Sequence, residues 1–211
     1  FKNVKVTCFS CGVVSTPMLS YNTKEFNYDL GLMISASHNP FYDNGVKIFD
    51  QNGEKLSDND ELKIEKNLNL TNLNYSSENE PNIINKVNFS KYENMLVKKF
   101  SHLTNFNQKV YLDCANGSLS NIAPKVFERL NLSFLCSGVQ PNGININKNC
   151  GATYPLELSK NTKASKSSLG ISFDGDADRV IFCDEFGRII DGDYILAILA
   201  LFLKDRNQLK N

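Results

Sequence analysis

The stretch KVYLDCANGSLSNIAPKVFERLNLSFLCSG, Lys109–Gly138, decides the fold class. Val110, Tyr111 and Leu112 form a short apolar run, the Asn116-Gly117 pair turns the chain, and Ile122 to Leu130 follows as a helix. Leu132 to Gly138 then returns as a second apolar run. Strand, helix and strand in this order form a βαβ-like unit, which implies an α/β layer fold.

The pattern extends in both directions. Downstream, Tyr154-Pro155 opens a helix, since proline suits the first helical turn. LGISF (169–173) and VIFCD (180–184) are expected strands on either side of DGDADR, and Phe186-Gly187 turns a hairpin into RIIDG. An apolar helical segment runs from Tyr194 to Leu203. Upstream, Val4 to Phe9 predicts a strand, Thr16-Pro17 a helix start, and Gly31 to Ile34 a short buried strand. Asn44-Gly45 and Asn52-Gly53 are turn signals around VKIFD, where the two-residue period puts Val46 and Ile48 on one side and Lys47 on the other. Ser57 starts a helix carrying Leu62, Ile64 and Leu68. Asn67 to Asn85 is rich in Asn, Ser and Glu and is expected as a loop or linker, and Phe89 to Phe106 as one helix joining two domains.

The chain has 211 residues with 23 basic and 23 acidic side chains, enough length for one large or two ordinary domains. Zero net charge argues against nucleic-acid binding as the main role. No apolar run approaches the roughly 20 residues needed to cross a bilayer, so a soluble protein is expected. Cys8 and Cys11 make a lone C-x-x-C without a second Cys/His pair, so small buried thiols are expected rather than a zinc site. The chain opens at Phe1 and stops soon after Leu203, and both ends are expected to be cut from a longer protein.

Two segments carry chemistry. In DGDADR, Asp174, Asp176 and Asp178 alternate with small residues between two strands. Three hard oxygen donors so close repel unless a cation neutralises them, which suits Mg²⁺ or Ca²⁺. A calcium EF-hand loop also begins D-x-D-x-D, but its sixth position needs glycine and here holds Arg179. A solvated acidic turn is the plainer alternative. A guanidinium beside a metal cage suits a phosphate, so Arg179 points to phosphoryl transfer. The second segment, GLMISASHNPFYDNG (31–45), offers Ser35 and Ser37 as nucleophiles, the His38 imidazole and the nearby Lys47 cation. Residue chemistry alone does not choose between the two serines, and a polar turn after a strand is the plainer reading.

SASHNPFYDNGVKIF together with DGDADR resembles the α-D-phosphohexomutase superfamily, and LDCANGSLSNIAP, PNGININKNCGATYP and DEFGRIIDGDYILAILA resemble its bacterial phosphoglucosamine mutase branch. The resemblance implies consecutive α/β domains with mixed sheets layered between helices. It assigns 1–85 to the C-terminal part of domain 1, 86–106 to a connecting helix, 107–190 to domain 2 and 191–211 to the start of domain 3. It implies that Ser37 carries a phosphate and that Asp174, Asp176, Asp178 and phospho-Ser37 hold Mg²⁺. Arg179, His38 and Lys47 would stabilise the transferring group or move protons. The implied substrate is a hexosamine phosphate, glucosamine 6-phosphate exchanging with glucosamine 1-phosphate, in a bacterial cytoplasm on the way to cell-wall precursors. A phosphomannomutase or phosphoglucomutase is the alternative within the superfamily. Outside it, an aspartate-nucleophile phosphatase and a calcium-binding module are rivals. Neither nucleic acid nor membrane is an implied partner, and the oligomeric state stays open. The resemblance further implies that the 211-residue chain lacks the sugar- and phosphate-binding loops of later domains and does not turn over substrate alone.

The family pattern S-T-H-P-E is replaced here by Ala152-Thr153-Tyr154-Pro155-Leu156, with Thr153 expected to cap the helix. Ala177 stands where glycine is frequent, a position expected to require only a small side chain.

Overall fold

A computed structural model describes residues 7–68, 83–84 and 90–209. The chain divides into two compact units, Phe1–Ser35 with Gly45–Tyr92, and Ala36–Asn44 with Glu93–Asn211.

The first unit contains β1 (Cys8–Phe9), α1 (Thr16–Glu25), β2 (Gly31–Ile34), β3 (Val46–Phe49), α2 (Asp58–Asn67) and β4 (Ile83–Ile84). α1 starts where Ser15 Oγ accepts the Met18 N–H at 3.3 Å, with Pro17 in the first turn. Met18, Leu19 and Val14 are buried, and α1 packs against β2. β2 and β3 form an antiparallel hairpin in which Met33 faces Lys47. Leu32, Ile34 and Val46 are exposed, so β2 is not the fully buried strand expected. The two-residue period turns Leu32 and Ile34 away from the side that carries Gly31 and Met33. Ile83–Ile84 pairs in parallel with Cys8–Phe9, so a strand interrupts the expected linker. The start of the strand expected from Val4, and most of that linker, lie outside the described residues.

The expected single helix over Phe89 to Phe106 is two pieces. α3 (Ser90–Lys99) ends at Phe100, and Ser101–Asn105 is a 3-10 turn. The Leu103 N–H reaches the Phe100 carbonyl at 2.9 Å, the tighter i to i+3 bond that closes many helix ends.

The second unit is built on a five-stranded sheet of β5 (Val110–Asp113), β6 (Phe134–Ser137), β7 (Leu169–Phe173), β8 (Val180–Asp184) and β9 (Ile189–Ile190), in the order β6-β5-β7-β8-β9. β5 runs parallel to β6 and β7, whereas β8 runs antiparallel to β7 and to β9. The sheet is mixed, as expected. All four residues of β5 are buried, the mark of a strand covered on both faces. On one face Tyr111, Leu158 and Cys183 form a core with Ile181 and Ile189 beside it, Leu158 coming from α5 (Pro155–Ala164). α4 (Ile122–Arg129) contributes the buried Ile122, Ala123 and Val126. α6 (Gly192–Asp205) is capped by the Asp191 carboxylate, which accepts the Asp193 and Tyr194 N–H groups. No helix among the described residues is long and apolar enough to cross a membrane.

The six cysteines are free thiols. Cys114 and Cys183 are buried as expected, but Cys136 is exposed, since β6 ends the sheet order. Burial, with Asp113 nearby, pushes the Cys114 thiol up to about 12 and the Cys150 thiol up to about 11, so neither is a ready nucleophile.

Candidate active site

Residues 174–179 connect β7 to β8 across the register pair Phe173 and Val180. The Asp174, Asp176 and Asp178 carboxylates offer oxygens that all lie within 4.8 Å of one another. Asp174 is 1% exposed and Asp176 3% exposed, whereas Asp178 is open to solvent. The flanking elements are strands, so the EF-hand alternative fails on structure as well as on Arg179.

The loop is shaped by its backbone. The Ala177 N–H donates to the Asp174 carbonyl at 3.1 Å, and the Arg179 N–H to Asp174 Oδ1 at 3.3 Å. Ala177 adopts φ +60°, a left-handed conformation costing about 1–2 kcal/mol for an L-residue. The expectation that this position needs only a small side chain is therefore incomplete, because the backbone itself favours glycine. Gly175 sits in a tight space: a Cβ there would lie 2.6 Å from Ile146 Cδ1, so that side chain would have to shift. The Gly175 carbonyl accepts the Ser118 N–H at 2.8 Å.

Burial pushes the Asp174 carboxyl above the ordinary carboxylate range, and Asp176 and Asp178 add repulsion. The Ser37 hydroxyl and the Arg179 N–H act in the opposite direction. Hard oxygen donors, two of them nearly inaccessible, fit a hard divalent cation that would relieve both desolvation and repulsion.

The serine segment, Ala36–Asn44, belongs to the same compact unit as the acidic loop. Ser37 Oγ donates to Asp174 Oδ2 at 2.9 Å and lies 3.4 Å from Asp178 Oδ1. Ser37 takes φ +55°, another left-handed non-glycine residue, and such strain tends to gather at functional sites. His38 Nδ1 is buried with no hydrogen-bond partner among the described residues. Arg179, more than half exposed, holds its Nε 3.9 Å from both Asp174 Oδ2 and Asp178 Oδ1. Thus Ser37, His38, the three aspartates and Arg179 share one unit. Lys47 lies in the other, half-buried in the middle of β3.

A pocket of about 580 Å³ adjoins the serine segment, lined by His38, Phe41, Tyr42, Ile144, Lys148 and Tyr154 among others. Thr153 also lines it and does not cap α5, because the residue at the cap is Tyr154, with no side-chain bond.

Two residues of this region are not singled out by motif. Asp113, at the end of β5, is buried, and its carboxylate accepts the Ala115 N–H at 3.0 Å and the Gly151 N–H at 2.7 Å. Asn147 donates from Nδ2 to the Ser37 carbonyl at 3.0 Å and the Asn39 carbonyl at 3.3 Å. The run around Asn147 stands out in the sequence as a branch marker, but nothing in it reveals the contact.

Comparison with known proteins finds relatives along most of the chain. A family model described as phosphoglucomutase/phosphomannomutase, alpha/beta/alpha domain I, matches residues 1–74, and the domain II model matches residues 90–187. The phosphoglucosamine mutase of Pelobacter propionicus is 42% identical over 204 residues, 94% of this chain and 45% of the relative. That of Buchnera aphidicola subsp. Baizongia pistaciae is 44% identical over 211 residues, 98% of this chain and 46% of the relative. The chain spans about half the length of the curated relatives it matches. A solved phosphoglucomutase/phosphomannomutase family protein from Burkholderia thailandensis has a similar fold, with a TM-score of 0.77 at 21% identity over 96% of this chain and 45% of that one. With two successive domain models covering most of its length, the chain belongs to the phosphoglucomutase/phosphomannomutase family.

Proposed function

We propose that the full-length protein is a phosphoglucosamine mutase in which Ser37 carries the phosphate that is exchanged. The observation that carries this reading is the 2.9 Å bond from Ser37 Oγ to Asp174, which sets a hydroxyl at the acidic triad. Identities of 42% and 44% to curated phosphoglucosamine mutases favour the hexosamine substrate over mannose or glucose phosphates.

In this reading Asp174, Asp176 and Asp178 hold Mg²⁺, which when bound neutralises the phosphate and polarises its bond to serine. The phosphoryl group passes from Ser37 Oγ to a free sugar hydroxyl. The P–Oγ bond breaks, a P–O bond to the sugar forms, and the sugar hydroxyl loses its proton. The resulting bisphosphorylated sugar then returns its other phosphate to Ser37, so glucosamine 6-phosphate and glucosamine 1-phosphate interconvert without net loss of phosphate. Arg179, whose Nε lies 3.9 Å from Asp174 Oδ2 and Asp178 Oδ1, would pair with the equatorial phosphate oxygens. His38 can accept or return the proton through its Nδ1, and Lys47 is assigned as a further cation by family resemblance. The setting is a bacterial cytoplasm, where such precursors are made.

The test is made on the full-length protein. Mass spectrometry is expected to find the phosphate on Ser37, and Ser37→Ala to abolish exchange between the two glucosamine phosphates. Phosphate on Ser35, or a fully active Ser37→Ala, overturns the reading. Faster turnover of mannose or glucose phosphates moves the protein to the neighbouring branch.

A further inference from the structure

The serine segment is gripped through its main chain by one amide from a distant loop. Asn147, 6% exposed, donates from Nδ2 to the carbonyls of both Ser37 and Asn39. Its own N–H donates to the Ala115 carbonyl at 2.9 Å, which ties it to the end of β5. Its backbone is left-handed, φ +57°, a conformation that asparagine adopts more readily than most residues. Gly175 leaves the amide its room, since a Cβ there would lie 2.9 Å from Asn147 Nδ2. The amide has one acceptable orientation. Turned over, its oxygen would face two carbonyl oxygens and its donors would be lost.

Ser37 is therefore bracketed. Its carbonyl is held by Asn147 and its hydroxyl by Asp174, while its φ of +55° is one that serine does not favour. Such a conformation persists only where its surroundings over-determine it. Releasing the carbonyl would free the peptide after Ser37 to rotate, leaving the bond to Asp174 alone to hold Oγ.

We propose that Asn147 is a positioning residue for phosphoryl transfer, its amide holding the Ser37 and Asn39 carbonyls so that Ser37 Oγ stays aimed at the acidic triad. This rests on Ser37 being the phosphate carrier. Asn147 acts on the alignment of the reacting group and not on sugar affinity.

Two variants of the full-length protein test it. Asn147→Gly keeps the left-handed backbone and removes only the amide. Asn147→Asp keeps the shape but sets a carboxylate against two carbonyl oxygens. Misplacement of a reacting atom by about 1 Å costs about 100-fold in rate, so Asn147→Gly is expected to lower kcat about 30- to 100-fold while KM stays within about threefold. Asn147→Asp is expected to fall at least as far. Hydrogen exchange at the Asn39 N–H, which is bonded to the Ala36 carbonyl at 3.1 Å, should quicken about tenfold as the segment opens locally. Exchange in Leu169–Phe173 should not change. Wild-type kcat in either variant overturns the proposal, as does a fall accompanied by faster exchange throughout that strand. Ser37→Ala, run alongside, separates the two ideas. If it remains active, the assignment of Ser37 fails; if it is inert while Asn147→Gly is fully active, only the role of Asn147 fails.

Discussion

Residues 174–179 and residues 36–44 each join a pair of antiparallel strands, β7 to β8 and β2 to β3, and each holds a short backbone bond of its own, Ala177 N–H to Asp174 O in one and Asn39 N–H to Ala36 O in the other; they differ in what they bury. The acidic loop buries two of its three carboxylates; the serine segment leaves Phe41 and Tyr42 exposed. The proposed function gives each loop a different task. Charge that stabilises a transferring phosphate is most effective when it does not have to reorganise, so its holders belong on a rigid frame. A group that is phosphorylated and dephosphorylated in turn, as proposed for Ser37, needs a backbone that is aimed but not cemented. Both loops carry a left-handed non-glycine residue, Ala177 in one and Ser37 in the other.

That contrast can be attacked from the rigid side. The largest effect is expected from Asp176→Asn in the full-length protein, which should lower mutase activity about 10²–10³-fold and abolish the rise in Tm expected when Mg²⁺ is added to the wild type. An unchanged Mg²⁺ response would mean that the cation is held elsewhere. Gly175→Ala comes next. Its new Cβ would press on Ile146 and Asn147, and overpacking of this kind costs about 1–3 kcal/mol. A lower urea midpoint should accompany a fall in kcat, and a midpoint equal to wild type would show that the loop yields more easily than its contacts imply. The smallest effect is a gain. Ala177→Gly relieves a left-handed conformation costing about 1–2 kcal/mol and gives back about 0.5–1 kcal/mol through the freer unfolded chain. A net stabilisation of about 0.5–1 kcal/mol is expected by urea denaturation, with kcat within about twofold. A lower midpoint would remove backbone strain from the description of the rigid loop.

The α/β class and the acidic triad are legible because each is written in neighbouring residues: the alternation from Lys109 to Gly138, and three aspartates at alternate positions. Ser37 needed the motif, since chemistry left Ser35 equal to it; the bond to Asp174 joins residues 137 apart in sequence. Asn147 was beyond reach for a related reason. It recognises main-chain carbonyls, which every residue possesses, so its partners leave no mark in the sequence. The left-handed backbone of Ala177 leaves no mark in the sequence, because size is visible in a residue letter and φ is not. Thr153 was expected to cap by residue type, but the helix begins one residue later than its hydroxyl could serve. The break at Phe100 escaped because helical spacing continues through Ser101–Asn105 while the hydrogen bonding tightens.

Asp113 bears on the order in which the site can be assembled. Its bond to the Gly151 N–H spans 38 residues, far fewer than the 110 that separate Asn147 from Ser37 or the 137 that separate Asp174 from Ser37. Closing a shorter loop costs less chain entropy, and local contacts are generally available earlier in folding than distant ones. The segment that bears Asn147 can therefore be hung from the end of β5 before the serine segment arrives. On the proposed role of Ser37, the receiver for its hydroxyl can then be complete before the serine segment docks.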